Sequence, residues 1–460
     1  MVPDPDTTSA CQAARQETFL VAPMGRLFLK QALPMIVVTT LGGVQGLVDA
    51  AFLGRAVGPE ALAAVSLVFP ASMLAVALSS LVGGGMASHH ARALGAGRPA
   101  DAARTMAGAH GLALALGVAL ASGAALGAGP ILSGLTPSGL AEMARLYVTI
   151  TLGAAPVQIL LAVQADGFRS EGRAGAMALL SVGVTLVNVV LNAVLILGLD
   201  LGVAGSAWGT VLAQSAGLAL LLGMRARPGA IVPLHATWGR AMAGGWGRIV
   251  ALGAPSALGF VGVALVSAVV IATLRSQESA GYARAVAAYG IVTRVIGLAF
   301  LPQMALALAT QTIAGNTIGG GAMPRAMAAL RIGALSAFAY GVAVQATAWL
   351  GGRAIGAAFV DDPAVATQVA QILRTMTGLW SLTGPVLVTG LWFQASGWPG
   401  RTAALTLTKP YLLMPVLLPA LAATGGAGAI WWAFPLADGA MAALALGLVM
   451  ALRRPRGAVA

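Results

Sequence analysis

The chain has 460 residues, of which 58% are hydrophobic and only 9% are charged. Soluble proteins typically carry about a quarter charged residues, so this composition excludes an ordinary soluble domain and predicts an all-α polytopic membrane protein. The net charge of +12 does not indicate nucleic-acid binding, because no basic stretch is interleaved with aromatic residues. With one cysteine, four histidines in no zinc-binding spacing and no phosphate-binding glycine motif, we expect no metal site, no cofactor and no ATP-driven pump.

Twelve apolar stretches are long enough to cross a bilayer, which takes about 20 helical residues each. The turns between them are rich in glycine, proline and arginine, as loops are. The predicted spans are 30–53, 61–88, 105–128, 141–164, 175–198, 203–224, 249–273, 285–312, 327–350, 366–392, 402–423 and 428–451.

The distribution of arginine and lysine predicts the orientation of these spans. With the N-terminus inside, the inner segments hold 18 of these residues and the outer segments hold 6. Because cytoplasmic loops carry the excess of positive charge, both termini are expected in the cytoplasm. Residues 1–27 lack the layout of a signal peptide and are interpreted as a cytoplasmic tail, as are residues 453–460.

The two halves of the chain resemble each other at an offset of about 221 to 225 residues. ALP at 32–34 and GAP at 253–255 open corresponding spans. Each half has six spans, so both copies face the same way, as in parallel repeats. The predicted domains are an N-lobe, a cytoplasmic linker and a C-lobe, at 28–225, 226–248 and 249–452.

Asp49 lies in the first span, where an ionisable group is expensive to insert. Span 5 carries Asn188 and Asn192 at i and i+4 on one face, and span 6 carries Thr210 at a similar depth. A carboxylate, two amides and a hydroxyl form an oxygen-rich set that suits a proton or a small hard cation such as sodium. Gln45 lies one turn before Asp49 on the same face.

The second half provides an internal comparison for this polar set. Asp49 corresponds to Val270 or Ile271, Asn188 to Leu413 and Asn192 to Leu417. The same helices therefore form without these polar groups, which favours a functional role for Asp49. For the two asparagines, hydrogen bonding between helices remains an alternative to ion binding.

The C-terminal half contains three more ionisable residues inside predicted spans: Arg294, Lys409 and Asp438. Lys409 and Asp438 lie at depths where they can meet, and a structural ion pair or polar network is as reasonable as a role in transport. Pro34 bends the first helix or simply lies near its start. Possible polar residues of a substrate cavity are Gln45, Gln158 and Gln164.

Three stretches resemble the multidrug and toxic compound extrusion (MATE) transporters: LPMIVVTTLGGVQGLVDAAFLGRAVGPEALAAVS, NVVLNAVLILGLDLGVAGSAWGTVLAQ and AAYGIVTRV. The resemblance covers about residues 28–452. It implies a V-shaped pair of six-helix lobes and cation-coupled antiport. It also implies that Asp49 is the coupling acid, and that Asn188, Asn192, Thr210 and Tyr147 complete its site.

This sequence departs from the family pattern at two places. Some members carry an acid where this chain has Asn192, and some carry one in helix seven, whereas 249–273 contains none. The first difference predicts weaker cation binding, and the second puts a cation site in the C-lobe in doubt.

We therefore expect a secondary antiporter of the bacterial inner membrane that exports organic, cationic and amphipathic compounds in exchange for protons or sodium ions. A flippase for lipid-linked precursors is the alternative, although only Arg294 and Lys409 are available inside spans to bind a pyrophosphate. A membrane enzyme is disfavoured by the scarcity of paired acids and nucleophile motifs. We expect a monomer, with the bilayer and small organic substrates as its partners.

Overall fold

A computed structural model describes residues 18–135, 138–277 and 281–452. Over these ranges the chain is helical and contains no strand. The α-helices α1 to α15 are Met24–Phe52, Pro59–Gly95, Pro99–Leu135, Ser138–Gly153, Ala155–Ser170, Ala174–Asn192, Gly202–Ala226, Trp246–Ser276, Tyr282–Gly319, Met323–Ala357, Pro363–Met376, Thr383–Ala395, Pro399–Thr408, Met414–Ala429 and Ala433–Met450. Short π-helical segments follow α1, α6 and α13 at Leu53–Val57, Ala193–Gly198 and Lys409–Leu413.

The helices account for the predicted spans, although several are broken. Among the described residues, nine helical stretches are long and apolar enough to cross a membrane, or ten if α4 and α5, which meet at a bend of 44°, form one span. One of the nine, Pro399–Met450, has 52 residues, about twice the length that a bilayer requires. Its backbone leaves the helical conformation at Gly426, with φ 70° and ψ −169°, so it contains two predicted spans.

The predicted span at 366–392 is divided between α11 and α12, neither of which is long enough alone to cross a membrane. A 3-10 turn at Trp380–Leu382 lies between them. Each of the twelve predicted spans thus has a helical counterpart. The prediction of an all-α polytopic membrane protein is confirmed.

The helices form two compact units. The first contains the described residues up to Phe260, together with Thr312–Ala326 and Ala395–Gly397, and the second contains the rest. The division differs from the predicted lobe boundaries because the beginning of α8 and the end of α9 belong to the first unit. Helix α8 can lie close to α2 because Gly253 has no side chain: a Cβ there would be 1.8 Å from the carbonyl oxygen of Leu81.

A buried ion pair lies in the first unit, next to the chain that follows α7. Arg225 and Glu171 are 1% and 3% exposed. Arg225 Nη1 donates to Glu171 Oε1 at 2.8 Å and to the carbonyl oxygen of Val232 at 3.1 Å. His90 Nε2 lies 3.6 Å from the same Glu171 oxygen. The pair thus fastens the chain after α7 to the ends of α2 and α5.

Gln164 and His110 extend this network. An arginine can only donate, so the atom of Gln164 that faces Arg225 Nε must be its carbonyl oxygen Oε1. The amide nitrogen of Gln164 then donates to His110 Nε2 at 2.7 Å, and His110 carries its proton on Nδ1, which donates to the carbonyl oxygen of Thr237 at 3.2 Å. His110 also stacks on Trp238, with ring centroids 5.7 Å apart.

Glu171 lies in the connection between α5 and α6, outside the spanning segments. Burial alone would raise the pKa of Glu171, but the Arg225 guanidinium and His90 beside it lower the pKa from 4.5 to about 2. A carboxyl whose pKa is depressed on folding stabilises the protein fully above its unfolded pKa. That contribution is lost as the pH falls through the folded pKa.

Replacing Glu171 with glutamine should lower the stability of the protein, because it leaves Arg225 buried without a counter-charge. Removing one partner of a buried pair costs about 3–5 kcal/mol. Thermal unfolding in detergent should show this loss at neutral pH, and the difference from wild type should shrink between pH 4.5 and about 2. Glu142→Gln, at an exposed position on α4, is the control and should unfold like wild type. Equal stability of Glu171→Gln and wild type would contradict this account.

Candidate functional site

Asp49 lies near the end of α1, in a half-buried position. Its oxygen Oδ1 accepts a hydrogen bond of 2.6 Å from Asn192 Nδ2, at the end of α6. No cationic side chain in the described part of the chain is ion-paired with Asp49. The carboxylate is therefore held by a neutral partner, and no ion pair with a described residue compensates its negative charge.

Hydrogen bonds connect the four side chains whose oxygen atoms were predicted to bind an ion. Asn192 Nδ2 also donates to Asn188 Oδ1 at 3.5 Å, and Asn188 Nδ2 donates to Thr210 Oγ1 at 3.3 Å. Both asparagines are completely buried. The structure thus brings Asp49, Asn188, Asn192 and Thr210 together in the first unit.

One hydrogen-bond acceptor of this group has no donor among the described residues. Asn192 Oδ1 is buried and has no hydrogen-bond partner among the described residues. A buried acceptor without a donor costs free energy, which a bound cation or proton carrier can recover. With the Asp49 carboxylate, the amide oxygens and the Thr210 hydroxyl, the donor set consists of hard oxygen ligands. Such a set suits a sodium ion or a proton as its ligand.

Two π-helical segments adjoin the site. Leu53–Val57 begins one turn after Asp49, and Ala193–Gly198 begins directly after Asn192. A π turn adds a residue to the helical turn, redirects the side chains around it and is frequent at functional sites. The two π-helical segments thus adjoin Asp49 and Asn192. Nothing in the sequence pattern indicated that the helices would end in π turns.

Gly209 on α7 makes room for Asn192. A Cβ at position 209 would lie 2.1 Å from Asn192 Oδ1, far inside van der Waals contact. The unpartnered amide oxygen is thus aimed at a backbone position without a side chain. Any larger residue there would have to displace Asn192.

Two further residues belong to the surroundings of this group. Tyr147 interacts electrostatically with Asp49 and packs beside Leu53 in a small core cluster, and its role in the site stays a prediction. Sequence reasoning missed Ser206, which is completely buried and whose hydroxyl has no partner among the described residues. Ser206 precedes Thr210 by one turn on the same face of α7, and this i, i+4 spacing was the available signal.

The three glutamines proposed for a substrate cavity have different environments. Gln45 and Gln158 are half-buried. Gln164 is completely buried, with both polar atoms of its amide bonded within the Arg225 network. Gln164 is therefore a structural residue of that network and cannot line a cavity open to substrate.

The corresponding positions of the second unit form an apolar core. Val270 is completely buried in a hydrophobic cluster of this unit, and Leu413 and Leu417 pack against the same cluster. Where the first unit has a carboxylate and two amides, the second has valine and leucine. The polar group around Asp49 is thus not needed to build helices of this type.

The acid of the second unit has a different partner. Asp438 is 2% exposed and is ion-paired with Lys409, which begins the π segment Lys409–Leu413. Arg294 is exposed, and no described hydrogen bond or ion pair joins it to these two residues. The predicted three-membered network is therefore wrong for Arg294. Asp438 thus has a cationic partner in Lys409, whereas Asp49 has none among the described residues.

A family model matches most of the chain and shows the family to which it belongs. The family model described as MatE matches residues 34–194 and 255–417, and the two stretches begin at Pro34 and Pro255, the equivalent prolines of the two halves. The chain belongs to the MATE family. The predicted family membership is confirmed.

Among curated proteins, this MATE chain is similar to a protein named FAD transporter of Shewanella oneidensis. The two are 24% identical over 408 residues, which is 86% of this chain and 87% of the relative. It is also similar to the protein named multidrug export protein MepA of Staphylococcus aureus, with 25% identity over 450 residues, 95% of this chain and 96% of the relative.

A solved structure described as the outward-facing conformation of a multidrug resistance MATE family transporter of the MOP superfamily shares the fold. Its TM-score is 0.85 at 22% identity, covering 96% of this chain and 99% of the other. The predicted MATE-like fold is thereby confirmed.

Replacing Gly209 with alanine should disrupt the site, because the new Cβ would collide with Asn192 Oδ1. Overpacking of this kind costs about 1–3 kcal/mol, so substrate transport should fall by on the order of tenfold or more. Initial transport rates in proteoliposomes measure the effect.

Gly223→Ala on the same helix is the matched control, because a Cβ there meets nothing within 4 Å. It should transport like wild type. If the two variants behave alike, close approach at Gly209 does not govern the site.

Proposed function

We propose that this MATE transporter is a secondary antiporter, which exports organic, cationic and amphipathic compounds while protons or sodium ions move inward and occupy Asp49. The observation that carries the proposal is the hydrogen-bonded group of Asp49, Asn188, Asn192 and Thr210, whose carboxylate has no cationic partner among the described residues. The multidrug export named for the Staphylococcus aureus relative supports the class of substrate.

The geometry suggests how ion binding changes the protein. With Asp49 ionised, its Oδ1 accepts a hydrogen bond from Asn192 Nδ2, which holds α1 against α6. A proton on the carboxylate removes the charge that makes this hydrogen bond strong, and a sodium ion draws the carboxylate and amide oxygens toward itself. Either event changes the contact between α1 and α6. A preference of the substrate for one of the two arrangements would couple its export to the ion gradient.

We place the protein in the bacterial inner membrane with both termini in the cytoplasm. The excess of arginine and lysine on the predicted inner segments supports this orientation. The bacterial sources of the relatives support the membrane.

Asp49→Asn should abolish efflux driven by an ion gradient and leave the protein folded. The replacing amide has the same shape and keeps an oxygen that can accept from Asn192 Nδ2, but it can no longer gain or lose a charge. Purified protein in proteoliposomes, loaded with an organic cation and given either a proton or a sodium gradient, tests this and identifies the coupling ion.

Asp200→Asn is the control for that experiment. Asp200 is exposed and has φ 51°, a conformation that asparagine also tolerates. This variant should transport like wild type. Efflux by Asp49→Asn at the wild-type rate under either gradient would rule out the proposed coupling.

Asn192→Asp should increase the sodium affinity of the site. It would place a second carboxylate where an amide now lies 2.6 Å from Asp49 Oδ1, and two like charges at this distance require a cation or a shared proton. At alkaline pH we expect a lower unfolding temperature without sodium and recovery on its addition, with an apparent affinity on the order of tenfold above wild type. An unfolding temperature that does not respond to sodium would show that position 192 does not contact the ion.

A further inference from the structure

The first turns of α1 present an unusual exposed stripe. Arg26, Leu29, Lys30 and Leu33 recur at spacings of three and four residues, so their side chains lie along one face of the helix. All four are exposed, with Leu29 at 56% and Leu33 at 59%. Cationic and apolar side chains thus alternate along the beginning of the first membrane-spanning helix.

The stripe forms one wall of a groove of about 510 Å³. Pro34 continues this wall, and Gly172 and Gly175 form the opposite side. A Cβ at Gly175 would meet nothing within 4 Å, and Gly172 has φ +82°, which favours glycine. The groove is therefore open to a ligand as large as a lipid headgroup with the start of its chains.

Four arginines of the first unit are ion-paired with carboxylates, whereas the two cations of the groove are not paired with any described residue. Arg98 and Arg104 pair with Asp101, Arg169 with Asp166 and Arg225 with Glu171. Within the described ranges, neither Arg26 nor Lys30 is ion-paired with a carboxylate. Two positive charges that no described carboxylate pairs with, one helical turn apart, thus line the groove.

We propose that this groove binds an anionic phospholipid. Arg26 and Lys30 would hold its phosphate, while Leu29 and Leu33 contact the upper part of its acyl chains. A basic pocket at the cytoplasmic end of membrane helices is suited to an anionic headgroup, and α1 begins at the predicted cytoplasmic end. The exposed leucines distinguish a lipid from a soluble phosphate compound, because only a lipid has chains to cover them. The groove is separate from the Asp49 site and does not depend on the proposed antiport.

Native mass spectrometry of the full-length protein tests the proposal directly. Detergent-purified protein is mixed with equal amounts of phosphatidylglycerol and phosphatidylcholine of identical acyl chains, and the retained lipid is measured. Wild type should prefer phosphatidylglycerol. The double variant Arg26→Gln/Lys30→Gln should lose this preference by on the order of tenfold, since each cation contributes separately. Leu29→Gln/Leu33→Gln should also retain less phosphatidylglycerol, although its charge is unchanged.

Arg98→Gln/Arg104→Gln is the matched control, because it removes two exposed positive charges outside the groove. It should bind phosphatidylglycerol like wild type, and thermal unfolding should show that all variants are folded. Three outcomes would overturn the proposal: an unchanged preference in the groove variant, an equal loss in the control, or competition by soluble glycerol phosphate as effective as that by the lipid. The last outcome would identify a simple phosphate site.

Discussion

The positive charge that balances a buried carboxylate can come from the protein or from solution, and the two units of this transporter differ in this respect. Asp438 has Lys409 beside it, so its charge is balanced within the second unit. Among the described residues, Asp49 has only a neutral hydrogen-bonding partner. An unbalanced charge inside a membrane helix is costly, and in the antiport that we propose an external proton or cation would relieve this cost. The proposal thus depends on the absence of a cationic partner for Asp49 among the described residues.

The surroundings of Asp49 keep its polar partners away from solvent. Asn188 and Asn192 are completely buried, so water does not reach their amide groups. Gly209 keeps the amide oxygen of Asn192 free of a neighbouring side chain. In the second unit, Val270 fills the corresponding position as part of an ordinary apolar core. The same helical framework therefore supports a polar, ion-attracting centre in one unit and a purely structural one in the other.

Much of this site could be predicted from the sequence, because a polar residue in an apolar span is conspicuous. Asp49 and Asn192 were found in this way, and the structure places them in contact. Features that depend on backbone geometry, such as the π segment at Ala193–Gly198 and the break between α11 and α12, leave no mark on the hydrophobic pattern. Gln164 was misjudged because its partner Arg225 lies 61 residues further along the chain. The sequence alone does not distinguish an arginine that is buried at the end of a span from one that lies in an exposed loop.

The network around Arg225 has a consequence for the order in which the protein is made. Its members, from His90 to Trp238, all precede the second set of six predicted spans, which begins at residue 249. Each buried charge of the network can thus find its partner before those spans leave the ribosome. The remaining parts of the first unit, Thr312–Ala326 and Ala395–Gly397, arrive much later. During synthesis, the network around Arg225 can be complete while Arg169 and Ser170 still wait for their hydrogen bonds with Thr312 and Asn316, which have not been translated.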